Sequence, residues 1–419
     1  MNWQQAGKNL WSMRGMSRRI RILIETLILP ILRRRLGKHK KPLSPPFDFK
    51  RIAVMKFASL GDYVLANHAI KALKLKYPEA RITFICDNRK NSKIFENSPY
   101  IDSFEYIDVF DKSGNFRHPL SPVFLKDLIL LYFRSWRRRF DVLVNLNIVE
   151  STFVLIINMM AVSAARAKIT AGLDTDDKGF FYDISIRDSF SGEKADLYTY
   201  LELVSLLGAR ERRELEGIPT SLEVKDRVGF FLNDFMQGRK NALVCLHSGS
   251  NVRIKMWPAE SFAELGNSLI KNYNVKILLV GAKSEIGLGE TIAALLKEDP
   301  INLIGKTTLQ ELAALIKSSS LFIGNNSAPM QIAVTEDVPT IGIIGPGLNR
   351  YYSYEEKHFR YVKSNSDCSF VKDRLECLKT DCPTRECMKS ILAANVMLMV
   401  DNMQEEGVID LRKSGVPRE

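Results

Sequence analysis

From Arg51 onward, short apolar runs rich in β-branched residues alternate with stretches whose apolar positions recur at helical spacing. Through the first half, strands are predicted at RIAVMKF, RITFICD, SFEYIDVF and FDVLVNLN, with helices over 62–77, 91–97, 122–139 and 151–164. KITAGL and a helix over 195–207 follow, and residues 208–240 then turn polar and charged. The alternation restarts at NALVCLH and continues through VKILLVG, INLIG, SLFIG and PTIGIIG, with helices over 258–271, 284–296, 308–317 and 327–334. Strands this uniformly apolar, joined by helices, belong in parallel sheets covered on both faces. The fold class is therefore α/β, with two doubly wound, Rossmann-like domains in series facing a cleft. We place a basic amphipathic arm with a Pro-rich linker at 1–47, the first domain at 48–225, the second at 240–390 and a C-terminal helix and tail at 391–419. Ligands in such sheets sit at the carboxyl ends of strands.

Charge changes this picture in one place. The 419 residues carry a formal charge of +12, of which residues 1–41 contribute +10, from eleven Lys and Arg against the single acid Glu25. The nearly neutral remainder argues against a nucleic-acid enzyme, whose basic residues line a groove. Within the arm, the apolar segment Ile20–Leu32 has thirteen residues, fewer than the roughly twenty needed to span a bilayer. Arginines follow it and no small-residue cleavage site does, so a secretory signal is not expected. Two readings remain: a helix lying on an anionic membrane surface through residues 11–36, with Trp11 and the Ile/Leu face inserted, or a helix packed on the protein's own surface.

Of the six cysteines, Cys86 and Cys245 fall in apolar strands and read as buried thiols. Cys368, Cys377, Cys382 and Cys387 cluster without a C-x2-C knuckle, which leaves plain structural cysteines and a structural metal both open. With no signal peptide, a reducing compartment is expected.

Candidate chemistry lies in the turns after strands. Ser59-Leu60-Gly61-Asp62 contains neither G-x-G-x-x-G nor G-K-[ST], so it is neither a dinucleotide fingerprint nor a P-loop. Asp62 there either complements a helix N-terminus or acts as a general base. After NALVCLH, Gly249 allows close backbone approach, Ser250 and Asn251 offer hydrogen bonds, and Lys255 supplies a compact charge suited to phosphate. Gly281 ends a strand, and Glu285 in the first turn of a helix is either an acid complementing the helix end or a carboxylate that accepts hydrogen bonds from a ribose. Asn326 and Ser327 precede a helix whose unpaired N–H groups suit an anion, with Pro329 in its first turn. Gly345 and Gly347 end another strand. Together these turns describe a nucleotide-diphosphate ligand on the second domain and a reacting partner on the first.

In order along the chain, the strand into S-x-G-D within FASLGDYVLANHAIKALKLKYPEARI, the K-x-W-P of Lys255–Pro258, the G-x-x-x-E of Gly281–Glu285, the block LIGKTTLQELAALIKSSSLFIGNNSAP and the Cys-rich stretch before the last helix are similar to motifs of glycosyltransferase family 9, the ADP-heptose:lipopolysaccharide heptosyltransferases. The resemblance covers roughly residues 51–403 and implies a GT-B fold. It makes Asp62 the catalytic base, in the loop with Ser59 and Gly61, deprotonating an acceptor sugar hydroxyl that attacks the donor's anomeric carbon with inversion. It assigns the diphosphate to Lys255 with Ser250 and Asn251, the ribose to Glu285 beside Gly281, and phosphate to the helix opening at Ser327 and Ala328. No cofactor or metal is demanded, because Lys255 and helix N–H groups meet the leaving charge.

The chain departs from the family at one block. Where Asp-Ser/Thr-Gly-Pro-x-His is usual, it has Asn326-Ser327-Ala328-Pro329-Met330-Gln331. That change implies a different donor sugar, a different balance of rate and affinity, or binding without turnover. The function expected is transfer of a heptose or similar sugar, from ADP-heptose or a related donor, to the lipopolysaccharide core and lipid A acceptor. The location expected is the cytoplasmic face of the inner membrane. A noncatalytic nucleotide-sugar or glycan scaffold is the alternative.

Overall fold

The computed structural model describes residues 46–412 apart from 88, 112–115, 210–216, 237–240, 348, 355–356, 365–381 and 383. The arm, with residues 11–36, lies outside the described residues, as do Cys368 and Cys377. The chain divides into two compact units between residues 214 and 215.

In the first unit, β1 (Arg51–Lys56), β2 (Arg81–Cys86), β3 (Ser103–Tyr106), β4 (Val142–Asn145), β5 (Ile169–Thr175) and β6 (Ile184–Asp188) form one sheet in the order β3-β2-β1-β4-β5-β6. Every neighbouring pair is parallel. Helices α1 (Leu60–Lys76), α2 (Pro122–Arg138) and α3 (Thr152–Ala165) lie in the crossovers, and α4 (Asp196–Ser205) follows β6. β1 and β4 are buried along almost their whole length, which is why their sequences do not alternate. α3 starts where Ser151 accepts the Val154 N–H and stops where Arg166 turns left-handed at φ 50°.

The second unit repeats the plan. β7 (Leu243–His247), β8 (Lys276–Leu279), β9 (Ile301–Asn302), β10 (Leu321–Asn325), β11 (Thr340–Ile344) and β12 (Phe359–Lys363) are parallel in the order β12-β11-β10-β7-β8-β9. Its longer helices are α5 (Leu222–Met236), α6 (Ala259–Tyr273), α7 (Ile286–Leu295), α8 (Leu309–Lys317), α9 (Ala328–Thr335) and α10 (Ala393–Glu405). Residues 222–236, expected within a polar connection, form α5 instead. Only Val224 and Val228 are buried on that helix, too few to raise a periodic signal. Arg227 pairs at 3.0 Å with Glu311, itself part of the Thr308–Glu311 capping box that starts α8. Glu336 accepts the Ile218 N–H at 2.5 Å, so this segment joins the second unit.

Two strands went unread in the pattern, β6 and β12, and each is the terminal strand of its sheet. An edge strand is half exposed and needs no continuous apolar run, so ISIRD and FRYVK pass for loop. The C-terminal helix is part of the second core: Val396, Val400 and Met403 pack with Trp257 and Ile391. Trp257 lies 4.9 Å from Phe262 and donates its indole N–H to the Ile391 carbonyl at 2.8 Å.

Cys387 is buried in that core, and Cys382 is partly buried, with the Arg385 N–H on its sulfur at 3.4 Å. Among the described residues no group of His, Cys, Asp and Glu could hold a metal. Among them, too, no helix is long and apolar enough to cross a membrane. Replacing Trp257 with alanine removes both the ring and its hydrogen bond. We expect a loss of about 3–5 kcal/mol in the second unit, read as a lowered urea midpoint.

Candidate active site

In each sheet the strand order reverses once, between β1 and β4 and between β7 and β10. The crossovers leave these pairs toward opposite faces, which opens a crevice at their carboxyl ends. The polar residues of interest gather at these two places.

In the first unit, β1 ends on Lys56, whose side chain is 2 % exposed. Its Nζ donates to the Leu146 carbonyl at 3.0 Å and to the Tyr200 hydroxyl at 2.7 Å, and lies 3.7 Å from Asp62 Oδ1. A buried ammonium is tolerable only with such partners. Asp62 stands in the first turn of α1, where Ser59, the N-cap, donates its hydroxyl to Oδ2 at 2.6 Å instead of capping the helix. Gly61 is buried beside it.

Two further carboxylates come from the neighbouring strand ends. Glu150 follows β4, and burial pushes its carboxyl up to about 7, opposed by the Lys56 charge and reinforced by Asp62. Asp87 follows β2 and is raised to about 6 by burial, against hydrogen bonds from the Tyr63 hydroxyl at 2.6 Å and the Ala58 N–H at 3.0 Å, with Asp62 adding to the rise. The first crevice thus surrounds the Lys56 ammonium with Asp62 and Glu150, and Asp87 stands near enough to feel Asp62.

In the second unit, β7 ends on His247 and β10 on Asn325. The buried His247 bridges two elements: Nε2 lies 3.4 Å from Glu285 Oε2, and Nδ1 lies 3.1 Å from Ser327 Oγ. Ser327 Oγ also donates to the Asn325 carbonyl at 3.0 Å. Burial alone would raise the Glu285 carboxyl, but the hydrogen bond and charge of His247, with the Ala282 N–H at 2.7 Å, hold it below its ordinary value. Gly249 and Gly281 make the room. A Cβ on Gly249 would stand 1.9 Å from Glu285 Oε1, and one on Gly281 would stand 2.5 Å from Oε2.

Asn325 fastens the adjoining loop. Its Nδ2 donates to the Ser248 carbonyl at 2.7 Å, and its Oδ1 accepts the Trp257 N–H at 3.0 Å. The loop held in this way carries Ser250, whose hydroxyl accepts the Val252 N–H at 3.2 Å, the exposed Asn251, and Lys255, whose Nζ lies 5.5 Å above the Tyr351 ring. Asn326 is buried, and its Nδ2 has no hydrogen-bond partner. Ala328 opens α9 behind the Ser327 cap. Gln331 turns away: its Nε2 donates to the Tyr351 carbonyl at 3.0 Å and its Oε1 accepts the Tyr354 hydroxyl.

Glu285, Gly281 and Ser327 are therefore brought together around His247, Asn326 adjoins Ser327, and Lys255 and Gln331 both reach the 351–354 segment. Pattern reading missed Lys56, Asp87, Glu150 and His247. Lys56 and His247 did leave a signal, a charged or imidazole residue at the carboxyl end of an apolar strand run.

A family model described as glycosyltransferase family 9 (heptosyltransferase) matches residues 138–379, more than half of the chain, and the chain belongs to this family. It is a glycosyltransferase. The lipopolysaccharide core heptosyltransferase OpsX of Haemophilus influenzae is 26% identical over 299 residues, covering 70% of this chain and 78% of that protein. The fold is that of the glycosyl transferase family 9 structure from Veillonella parvula, with a TM-score of 0.69 at 21% identity over 87% of this chain and all of that one. It is also that of the Escherichia coli ADP-heptose LPS heptosyltransferase II, with a TM-score of 0.60 at 16% identity over 85% of this chain and 99% of that one. Two parallel Rossmann-type sheets in one chain are the GT-B architecture expected from the motifs.

The raised Glu150 carboxyl carries a pH signature. Because the native state resists its ionisation, the stability present below about pH 4.5 is lost as pH rises through about 7. Glu150→Gln should raise the melting temperature at pH 8, by the equivalent of about 1–3 kcal/mol, and leave it nearly unchanged at pH 4.

Proposed function

We propose that the protein transfers a heptose or closely similar sugar from a nucleotide-diphosphate donor to the core of lipopolysaccharide, with inversion at the anomeric carbon. The observation that carries this reading is the division of chemistry between the two switch points. The first offers the Asp62 carboxylate beside a buried cation. The second offers a glycine-lined Glu285 next to a helix opening at Ser327 and a loop bearing Lys255. The names of OpsX and of the E. coli heptosyltransferase support heptose as the sugar, ADP as the nucleotide and lipopolysaccharide as the acceptor.

In the proposed reaction, Asp62 takes the proton of an acceptor hydroxyl as its oxygen bonds to the anomeric carbon. The bond from that carbon to the diphosphate oxygen breaks, and its electron pair leaves with the nucleoside diphosphate. Lys255 and the N–H groups at the start of α9 meet the departing charge. Ser250 and Asn251 assist from the same loop, and Glu285 receives the ribose hydroxyls. Asn326 supplies an amide N–H where the family usually has an acid, and so offers the donor sugar a hydrogen-bond donor without a negative charge. No cofactor is needed beyond the nucleotide sugar. The acceptor places the enzyme on the cytoplasmic face of the inner membrane, against its anionic surface, with the arm over 11–36 as one contact.

Release of nucleoside diphosphate from ADP-, UDP- and GDP-sugars, with truncated lipopolysaccharide as acceptor, tests this. Asp62→Asn should lower kcat about 10²- to 10⁴-fold with donor affinity retained. Glu285→Gln should instead weaken donor binding, about tenfold. Binding of a donor by the wild type with no release under any acceptor condition would sink the transferase reading in favour of a scaffold that binds nucleotide sugars.

A further inference from the structure

We infer that the outward face of α2 is a second membrane-docking surface, built to lie against anionic phospholipid, resting on the proposed reading of a membrane-held acceptor. The helix is fixed from within. Phe124, Leu128, Leu131 and Ser135 are buried, and Arg134 and Arg138 pair with the buried Glu105 at 2.6 and 2.8 Å. None of that requires the opposite face to be apolar, yet it carries Ile129, Phe133 and Trp136 at 57, 58 and 59 % exposure, with Leu130 and Tyr132 beside them and Leu120 and Val123 at its start. Large exposed apolar residues gathered along one helix mark an interaction site.

Charge selects the occupant. Lys126, Arg137 and Arg139 are exposed along the same helix and its cap, and Arg166 stacks on Tyr132 with its guanidinium carbon 4.7 Å from the ring centre. The only acid of α2, Asp127, is partly buried and accepts the Asp108 N–H at 2.9 Å. An aromatic and aliphatic face with a basic fringe and no exposed acid suits the headgroup region of an acidic leaflet. The arm over 1–41, with eleven basic residues against one acid, would bring like charge to this face. A second copy would bring the same cations. As the crossover from β3 to β4, α2 runs antiparallel to the strands, so its Leu120 and Val123 end lies toward the strand edge where Asp62 stands. Docking here would hold that edge near a lipid-anchored acceptor.

The test uses the full chain and vesicles of phosphatidylglycerol and phosphatidylcholine with acyl-chain bromines that quench tryptophan on contact. The chain has four tryptophans, and comparison with Trp136→Phe isolates the signal of Trp136 from the rest. We expect Trp136-dependent quenching with anionic vesicles. We also expect about a tenfold loss of partitioning in Ile129→Gln/Phe133→Gln/Trp136→Gln, and loss of the preference for anionic lipid in Arg137→Glu/Arg139→Glu. Vesicle binding without Trp136-dependent quenching would overturn the inference, leaving docking to the arm alone. So would a lipid-free dimer, seen by sedimentation equilibrium, that the triple variant abolishes. Transfer to a deacylated acceptor in solution should proceed equally in wild type and triple variant. Its absence from both would count against the proposed transferase and not against docking.

Discussion

Parallel strands can be joined only by crossovers, and those crossovers are right-handed, so a doubly wound sheet has to be laid out from its middle in two directions. In this chain that constraint brings β4 against β1 and β10 against β7, strands that are remote in sequence. At each junction the outgoing loops part toward opposite faces, and the carboxyl-end side chains of two strands meet there. The polar residues of the site are there because it is where the sheet geometry leaves space for them.

What fills the space is set by the cost of burying charge. Lys56 is nearly inaccessible and is held by a carbonyl, a phenol and the Asp62 carboxylate. Where a carboxylate lacks so close a partner, as at Glu150, burial shifts it toward its neutral form instead. Glu285 goes the other way because His247 and the Ala282 N–H receive it, and Gly249 and Gly281 keep the approach open. The same physics therefore gives the two junctions different characters. The first holds the burial-raised Glu150 carboxyl and Asp62 around a cation, and the second holds an acid anchored by an imidazole.

The surface of α2 follows a separate logic. Its inward residues and its ion pairs to Glu105 secure the helix, so stability makes no demand on Phe133 or Trp136. Apolar side chains more than half exposed in this way gain little from burial on folding. The proposed docking surface gives these side chains a partner.

The sequence by itself determined the alternation of strand and helix, the two-unit α/β plan and the glycine-bearing turns, because buried parallel strands must be continuously apolar and tight turns need particular residues. It also carried the family resemblance that singled out Asp62 and Glu285. It was silent on edge strands β6 and β12 and on α5, where half-exposed positions dilute the pattern. Only the tertiary structure decided that Lys56, Asp62 and Glu150 share one junction and that His247 joins Glu285 to Ser327. It also decided that Gln331 is spent on the 351–354 segment while the Asn326 amide is left without a partner. Most of these are contacts between residues tens of positions apart, fixed by strand order and crossover, and periodicity along a chain holds no information about which strand ends will meet.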